Sequence, residues 1–152
     1  MTIAKILMWV FTAICWWKIF EKANIRGWKA IIPFYSDYVR FGMANKKWWY
    51  IPFLLLSTIE MVVSFVYSAL KAVELADTLI EDIDIIGDLS TLFWTRNVLS
   101  ILVFAISVHV GIVIAGKFGK SKVFGAGLGI IPIVFAPIIA FDQSRYNEND
   151  EI

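Results

Sequence analysis

The chain has 152 residues and a net charge of +1; 59% of it is hydrophobic and only 18% is charged. Soluble domains usually sit nearer half apolar, so this composition excludes an ordinary water-soluble domain and points to an integral membrane protein. The near-neutral balance gives no bias toward nucleic acid, and the single cysteine, Cys15, excludes an internal disulfide and a multi-cysteine metal site.

The first predicted element is a span over residues 3–20. Lys5 and Lys18 snorkel outward from its two ends, and Trp16-Trp17-Lys18 reads as an interface anchor. The run lacks the small-residue cleavage site of a signal peptide, and Ile14 stands where a lipoprotein box needs a small residue. It is read as a retained helix.

The basic stretch after it, residues 18–42, is too charged for lipid and too aromatic for a plain loop. Trp28, Ile31, Ile32, Tyr35, Tyr38, Val39 and Gly42 fall at helical spacing, with Lys29, Pro33, Ser36, Asp37 and Arg40 on the other side. That pattern predicts an amphipathic segment in the cytoplasmic headgroup region, broken near Ile32, with a short helix from Pro33 to Phe41. It serves either as a lipid-facing anchor or as an interaction surface made of Lys22, Arg26, Trp28, Lys29, Pro33, Tyr35 and Arg40.

A second span is predicted over 49–70, entered through Trp48, Trp49 and Tyr50, and a third over 98–115. Between them, 71–97 reads as an acidic outer loop. Its "EDIDIIGD" is no calcium loop, because Ile86 and Phe93 stand at ligand positions. The fourth candidate, 123–141, carries three glycines and two prolines, so a straight helix is doubtful there. An acidic tail, 142–152, follows.

Charge alternates at every crossing. Residues 18–47 hold seven basic and two acidic side chains, 71–97 two basic and six acidic, 117–122 three basic, and the tail one basic and four acidic. The basic loops belong in the cytoplasm, which puts both termini outside if 123–141 spans. If it is a re-entrant hairpin, the C-terminus returns to the cytoplasm.

Two stretches match each other. Phe20, Lys22, Gly27 and Pro33 correspond to Phe118, Lys120, Gly125 and Pro132, with one residue inserted before the second proline. Each set follows a span running inward, which suggests a degenerate parallel repeat. The paired Pro-broken segments would then build a binding site or a docking surface.

Glu60 sits near the middle of the second span and His109 on the cytoplasmic half of the third, at depths of roughly 17 Å and 10 Å from the inner boundary at ~1.5 Å per residue. Two readings stand: a proton or cation relay, and polar glue between helices. No nucleophile set, phosphate loop or dinucleotide fingerprint is visible, so a non-enzymatic protein without cofactor or metal is expected.

"WWKIFEKANIRGWKAIIPFYSDY" and "FGKSKVFGAGLGIIPIVFAPIIAF" together resemble a family of small bacterial multi-pass membrane proteins of unassigned function, often labelled signal peptidase I. The resemblance implies a membrane location and no particular activity. The peptidase label does not carry over, since a leader peptidase needs a Ser/Lys set beneath a large outer β domain.

The sequence therefore predicts an all-α integral membrane protein forming one domain over 1–152, in the cytoplasmic membrane. About four spans are expected, plus the cytoplasmic amphipathic or re-entrant segment. The expected role is an accessory or scaffold subunit, with a membrane-protein partner or a second copy and anionic lipid at the cytoplasmic face. The alternative is a small transporter or channel using Glu60 and His109.

Overall fold

The computed structural model describes residues 3–76 and 85–148, and every regular element among them is helical. The helices are α1 (Ile3–Lys22), α2 (Pro33–Met43), α3 (Tyr50–Ala76), α4 (Ile85–Lys117), α5 (Lys122–Ile130) and α6 (Pro132–Phe141). Short 3-10 turns at Gly27–Ala30 and Lys47–Trp49 lead into α2 and α3. Three helical stretches are long and apolar enough to cross a membrane: Ile3–Lys22, Lys47–Ala72 and Leu89–Lys117.

The fourth expected span is not one helix. It breaks at Ile131 into α5 and α6, nine and ten residues long. At ~1.5 Å per residue each covers roughly half of a 30 Å hydrocarbon core. The cause is Pro132, whose ring fixes the first turn of α6 and bars Ile131 from continuing α5. Pro33 opens α2 in the same way. The expected outer loop also shrinks, because helix runs to Ala76 and resumes at Ile85. Acidic residues 77–84 lie outside the described residues.

The backbone divides into two compact units. One comprises Met1–Tyr50 with Ile106–Ile152, the other Ile51–Ala105.

In the first unit, α1 packs along α6. Cys15, Trp16, Ile19 and Phe20 of α1 and Ala136, Ile139 and Ala140 of α6 are the buried residues of these two helices. Two alanines one turn apart let the backbones approach closely. Helix α5 runs back along α4. A Cβ on Gly125 would collide with the Ile112 backbone, and one on Gly129 would lie 2.5 Å from Val108 Cα. Opposite them, a Cβ on Gly111 would lie 2.7 Å from the Gly125 carbonyl oxygen. The glycines of "GAGLG" are thus a packing surface.

Three helices end in the same capped turn. Asn24, Asn45 and Gly119 adopt φ of 58°, 54° and 68°. The next amide in each case reaches back five residues: Ile25 to Phe20, Lys46 to Phe41 and Lys120 to Ala115, at 2.8–2.9 Å. This is the Schellman arrangement, which satisfies the last helix carbonyls. It also shows that the two matched stretches are out of register at their helix ends. Phe20 accepts the capping bond after α1, whereas after α4 that role falls to Ala115, three residues before Phe118. The proline match, by contrast, opens a helix in both copies.

The start of the acidic tail is folded. The Tyr146 hydroxyl donates to the Met43 carbonyl (3.1 Å), the Asn147 amide to the Lys117 carbonyl (2.8 Å), and the buried Lys117 ammonium to the Glu148 carbonyl (2.9 Å). The Tyr146 ring packs edge-on against Phe118. The tail therefore ties α2 to the end of α4.

In the second unit, the Glu60 carboxylate accepts from Ser64 (3.2 Å) and from Ser100 of α4 (2.9 Å). Arg96 lies over the Tyr67 ring at 5.0 Å.

Candidate functional site

Helix α2 is amphipathic as its spacing predicts, but its faces divide differently: Ser36 of the expected polar side and Val39 of the expected apolar side are both buried, while Asp37 and Arg40 are half-buried. Trp28, Ile31, Ile32, Pro33, Phe34, Tyr35 and Tyr38 are exposed, while Ser36 is 2% exposed. The polar residues turn onto α1. The Arg40 guanidinium stacks on the Trp16 ring at 4.0 Å and pairs through Nη1 with Asp37 at 3.1 Å. Between the two helices lies a cavity of about 240 Å³, lined by Trp9, Thr12 and Trp16 of α1 and by Ser36, Asp37 and Arg40 of α2.

Three polar atoms of this lining have no hydrogen-bond partner among the described residues: Trp16 Nε1, Ser36 Oγ and Arg40 Nε. A buried polar group left unmatched costs about 1–3 kcal/mol, so three around one cavity are a strong departure from ordinary packing. Burial pushes the Asp37 carboxyl up, partly offset by Arg40; burial pulls Arg40 down, partly offset by Asp37. Both shifts follow from taking charge out of water.

A second cluster closes the end of the same unit. Lys22 donates to the Ile139 carbonyl (2.6 Å), the Asp142 carbonyl (2.7 Å) and Asp142 Oδ1 (3.1 Å). Lys120 pairs with Asp142 Oδ2, and Ser144 donates to Oδ1 through its amide (2.9 Å) and its hydroxyl. Burial alone would raise the Asp142 carboxyl. The bonds from Lys120, Ser144 and Lys22 outweigh it and hold the group well below the usual carboxylate range. Lys22 also supplies the positive charge that the carbonyl end of α6 favours. At the tail, burial and the neighbouring Glu148 push the Tyr146 hydroxyl up.

The residues singled out by sequence thus divide. Lys22 is engaged with α6. Pro33 and Arg40 line the cavity, and Arg26 stays exposed. Trp28 stacks on Tyr35 at 6.1 Å with Lys29 over that ring at 5.4 Å, forming an aromatic-basic face. Glu60 pairs with serines in one unit, and His109 is an exposed residue of α4 in the other. Phe118 is buried, Lys120 meets Lys22 at Asp142, Gly125 packs on α4 and Pro132 starts α6.

Sequence reasoning passed over Asp142 and took Trp16 for part of an interface anchor, whereas Trp16 is buried against Arg40. Asp142 had a signal: an acid directly after an apolar helix meets the unfavourable end of the helix dipole, so cations must come from elsewhere. Nothing local marked Trp16 as an inward residue, because its role depends on which face of α2 turns inward.

Among the described residues, fold and site define an all-helical protein with three helices long and apolar enough to span a membrane. Comparison with protein-family models, curated proteins and solved structures finds no match.

Proposed function

We propose that the protein is a non-enzymatic multi-pass protein of the cytoplasmic membrane, akin to the small bacterial multi-pass family its sequence resembles, and acts as an accessory or scaffold subunit. The observation that carries this reading is α3. No residue of its eighteen-residue apolar window is buried within the chain, yet the helix carries Glu60. Ionisable groups at membrane depth face other helices or water rather than lipid. Serines are the partners that bond Glu60 within the chain, so a further helix from a partner protein suits this face.

In this reading α1 runs inward, α3 outward and α4 inward, with the N-terminus outside. Helices α5 and α6 dip into the bilayer and return, so the tail lies on the cytoplasmic side with the basic loops. The pairing of Lys22 and Lys120 with Asp142 supports this, because it joins the start of the hairpin to its end. The outward aromatic face of α2, with Arg26 and Lys29 beside it, rests in the anionic headgroup layer.

Affinity purification of the intact protein from native membranes in mild detergent, with mass spectrometry, tests the role. A stoichiometric membrane partner supports the accessory reading. A bare homo-oligomer favours transport through Glu60 and His109, and a monomer carrying lipid alone contradicts both.

A further inference from the structure

Another cavity, of about 280 Å³, opens where α2 meets the folded start of the tail. Tyr35 and Tyr38 of α2, Tyr146 of the tail and three charged residues, Lys29, Lys47 and Glu148, line it. The Lys29 ammonium lies over the Tyr35 ring at 5.4 Å. The Lys47 stem runs past Gly42, another lining residue, where an added Cβ would lie 3.4 Å from Lys47 Cε. Beyond the effect of burial, the charge of Glu148 pushes the Tyr146 hydroxyl up, which sets the carboxylate near that hydroxyl. None of the three charged side chains makes an ion pair among the described residues. The Lys117 ammonium reaches the Glu148 backbone carbonyl instead of its carboxylate. We propose that this cavity binds a phosphoethanolamine-type zwitterion, its phosphate toward Lys29 and Lys47 and its ammonium toward Glu148, carried by a lipid or free in solution.

Charge selects the ligand class. Opposite charges that line one cavity without meeting each other leave both signs open to a ligand. An anion alone would meet the Glu148 carboxylate, and a cation alone would meet two ammonium groups. A ligand with both charges on neighbouring groups forms charge-assisted bonds with all three. Lysine binds phosphate as a point charge, so two mobile ammonium groups suffice without an arginine fork.

The surroundings suit a headgroup. Tyr35 and Tyr38 are both exposed, so the mouth lies on the aromatic face that Trp28 shares by stacking on Tyr35. Aromatic side chains of this kind collect at the headgroup level. A volume of about 280 Å³ holds a headgroup and leaves acyl chains outside. The lipid source rests on the membrane placement of α2 given above. The cavity itself involves only the α2 region and the tail, so it stands or falls apart from the accessory role.

The test uses the full chain in detergent. Native mass spectrometry reads retention of phosphatidylethanolamine and of phosphatidylglycerol, which keeps the phosphate but lacks the ammonium. Calorimetry reads free phosphoethanolamine. The variants are Glu148→Gln, Lys29→Gln and Lys47→Gln, at exposed or half-buried positions where loss of charge leaves folding intact. Glu148→Gln is expected to lower retention of phosphatidylethanolamine roughly threefold, the scale of an exposed ion pair, and to leave phosphatidylglycerol unchanged or better retained. Lys29→Gln or Lys47→Gln is expected to lower retention of phosphatidylethanolamine by a similar factor. That pattern supports the site with lipid as source. Phosphoethanolamine binding with the same losses, without the lipid pattern, supports it with a free ligand as source. A loss of both lipids alike in Glu148→Gln, wild-type binding by Glu148→Gln or by both lysine variants, or no binding of any probe overturns the proposal.

Discussion

Lys22 closes α1 and Lys120 follows α4, and the two ammonium groups take opposite oxygens of the Asp142 carboxylate. One acid at the end of α6 thereby gathers the ends of three helices. The lysines are the same pair that the sequence match aligns, although their helix ends are out of register.

Asp142→Asn removes the charge while keeping the shape. With the carboxylate only 22% exposed, the substitution is expected to cost about 2 kcal/mol, between the values for surface and fully buried pairs. Reversible unfolding of the purified protein in mixed micelles measures it. Lys22→Met and Lys120→Met should be non-additive, because they share one partner.

The same carboxyl sets a pH dependence. Its folded-state pKa is depressed, so its contribution is complete above the unfolded value of about 4 and is lost as pH falls through the folded one. The stability gap between wild type and Asp142→Asn should hold from pH 7 to near 5 and narrow below about 4. A gap that stays constant to pH 3 contradicts the assignment.

Gly125→Ala and Gly129→Ala should each force α5 away from α4, at a cost of about 1–3 kcal/mol, because the added Cβ meets backbone that has no room to shift. Gly119→Ala meets no atom within 4 Å, but its φ of 68° is strained for alanine, so about 1 kcal/mol is expected. Thermal unfolding of the three variants gives the ranking.

Glu60→Gln keeps an acceptor for Ser100 and should change the stability of the α3–α4 pair by less than about 1 kcal/mol, whereas Glu60→Ala should lose roughly that amount. Charge reversal separates the basic residues. Lys22→Glu should unfold the end of α1, while Arg26→Glu and Lys29→Glu should leave folding intact and weaken retention of anionic lipid by the detergent-solubilised protein, read by native mass spectrometry.

Much of the helix plan was legible in the sequence. Pro33 marked a helix start because a proline needs no amide bond there, the prolines of 123–141 marked a break without fixing where the next helix begins, and long apolar runs marked the spans. Two things were not. Helical spacing divides α2 into two faces but does not say which turns inward; that depends on Trp16 offering its ring to Arg40. An acid-rich tail reads as solvated, yet Tyr146 and Asn147 bond to backbone carbonyls far off in the chain, and no local pattern encodes such partners.

The central claim is that α5 and α6 return to the side they leave. It is tested by cysteine labelling in sealed cells, on a Cys15→Ala background, with Arg26→Cys and Gln143→Cys at exposed positions. The account predicts that an impermeant maleimide reaches neither cysteine until the membrane is opened, and then reaches both. Labelling of Gln143→Cys from outside, with Arg26→Cys still protected, would contradict it.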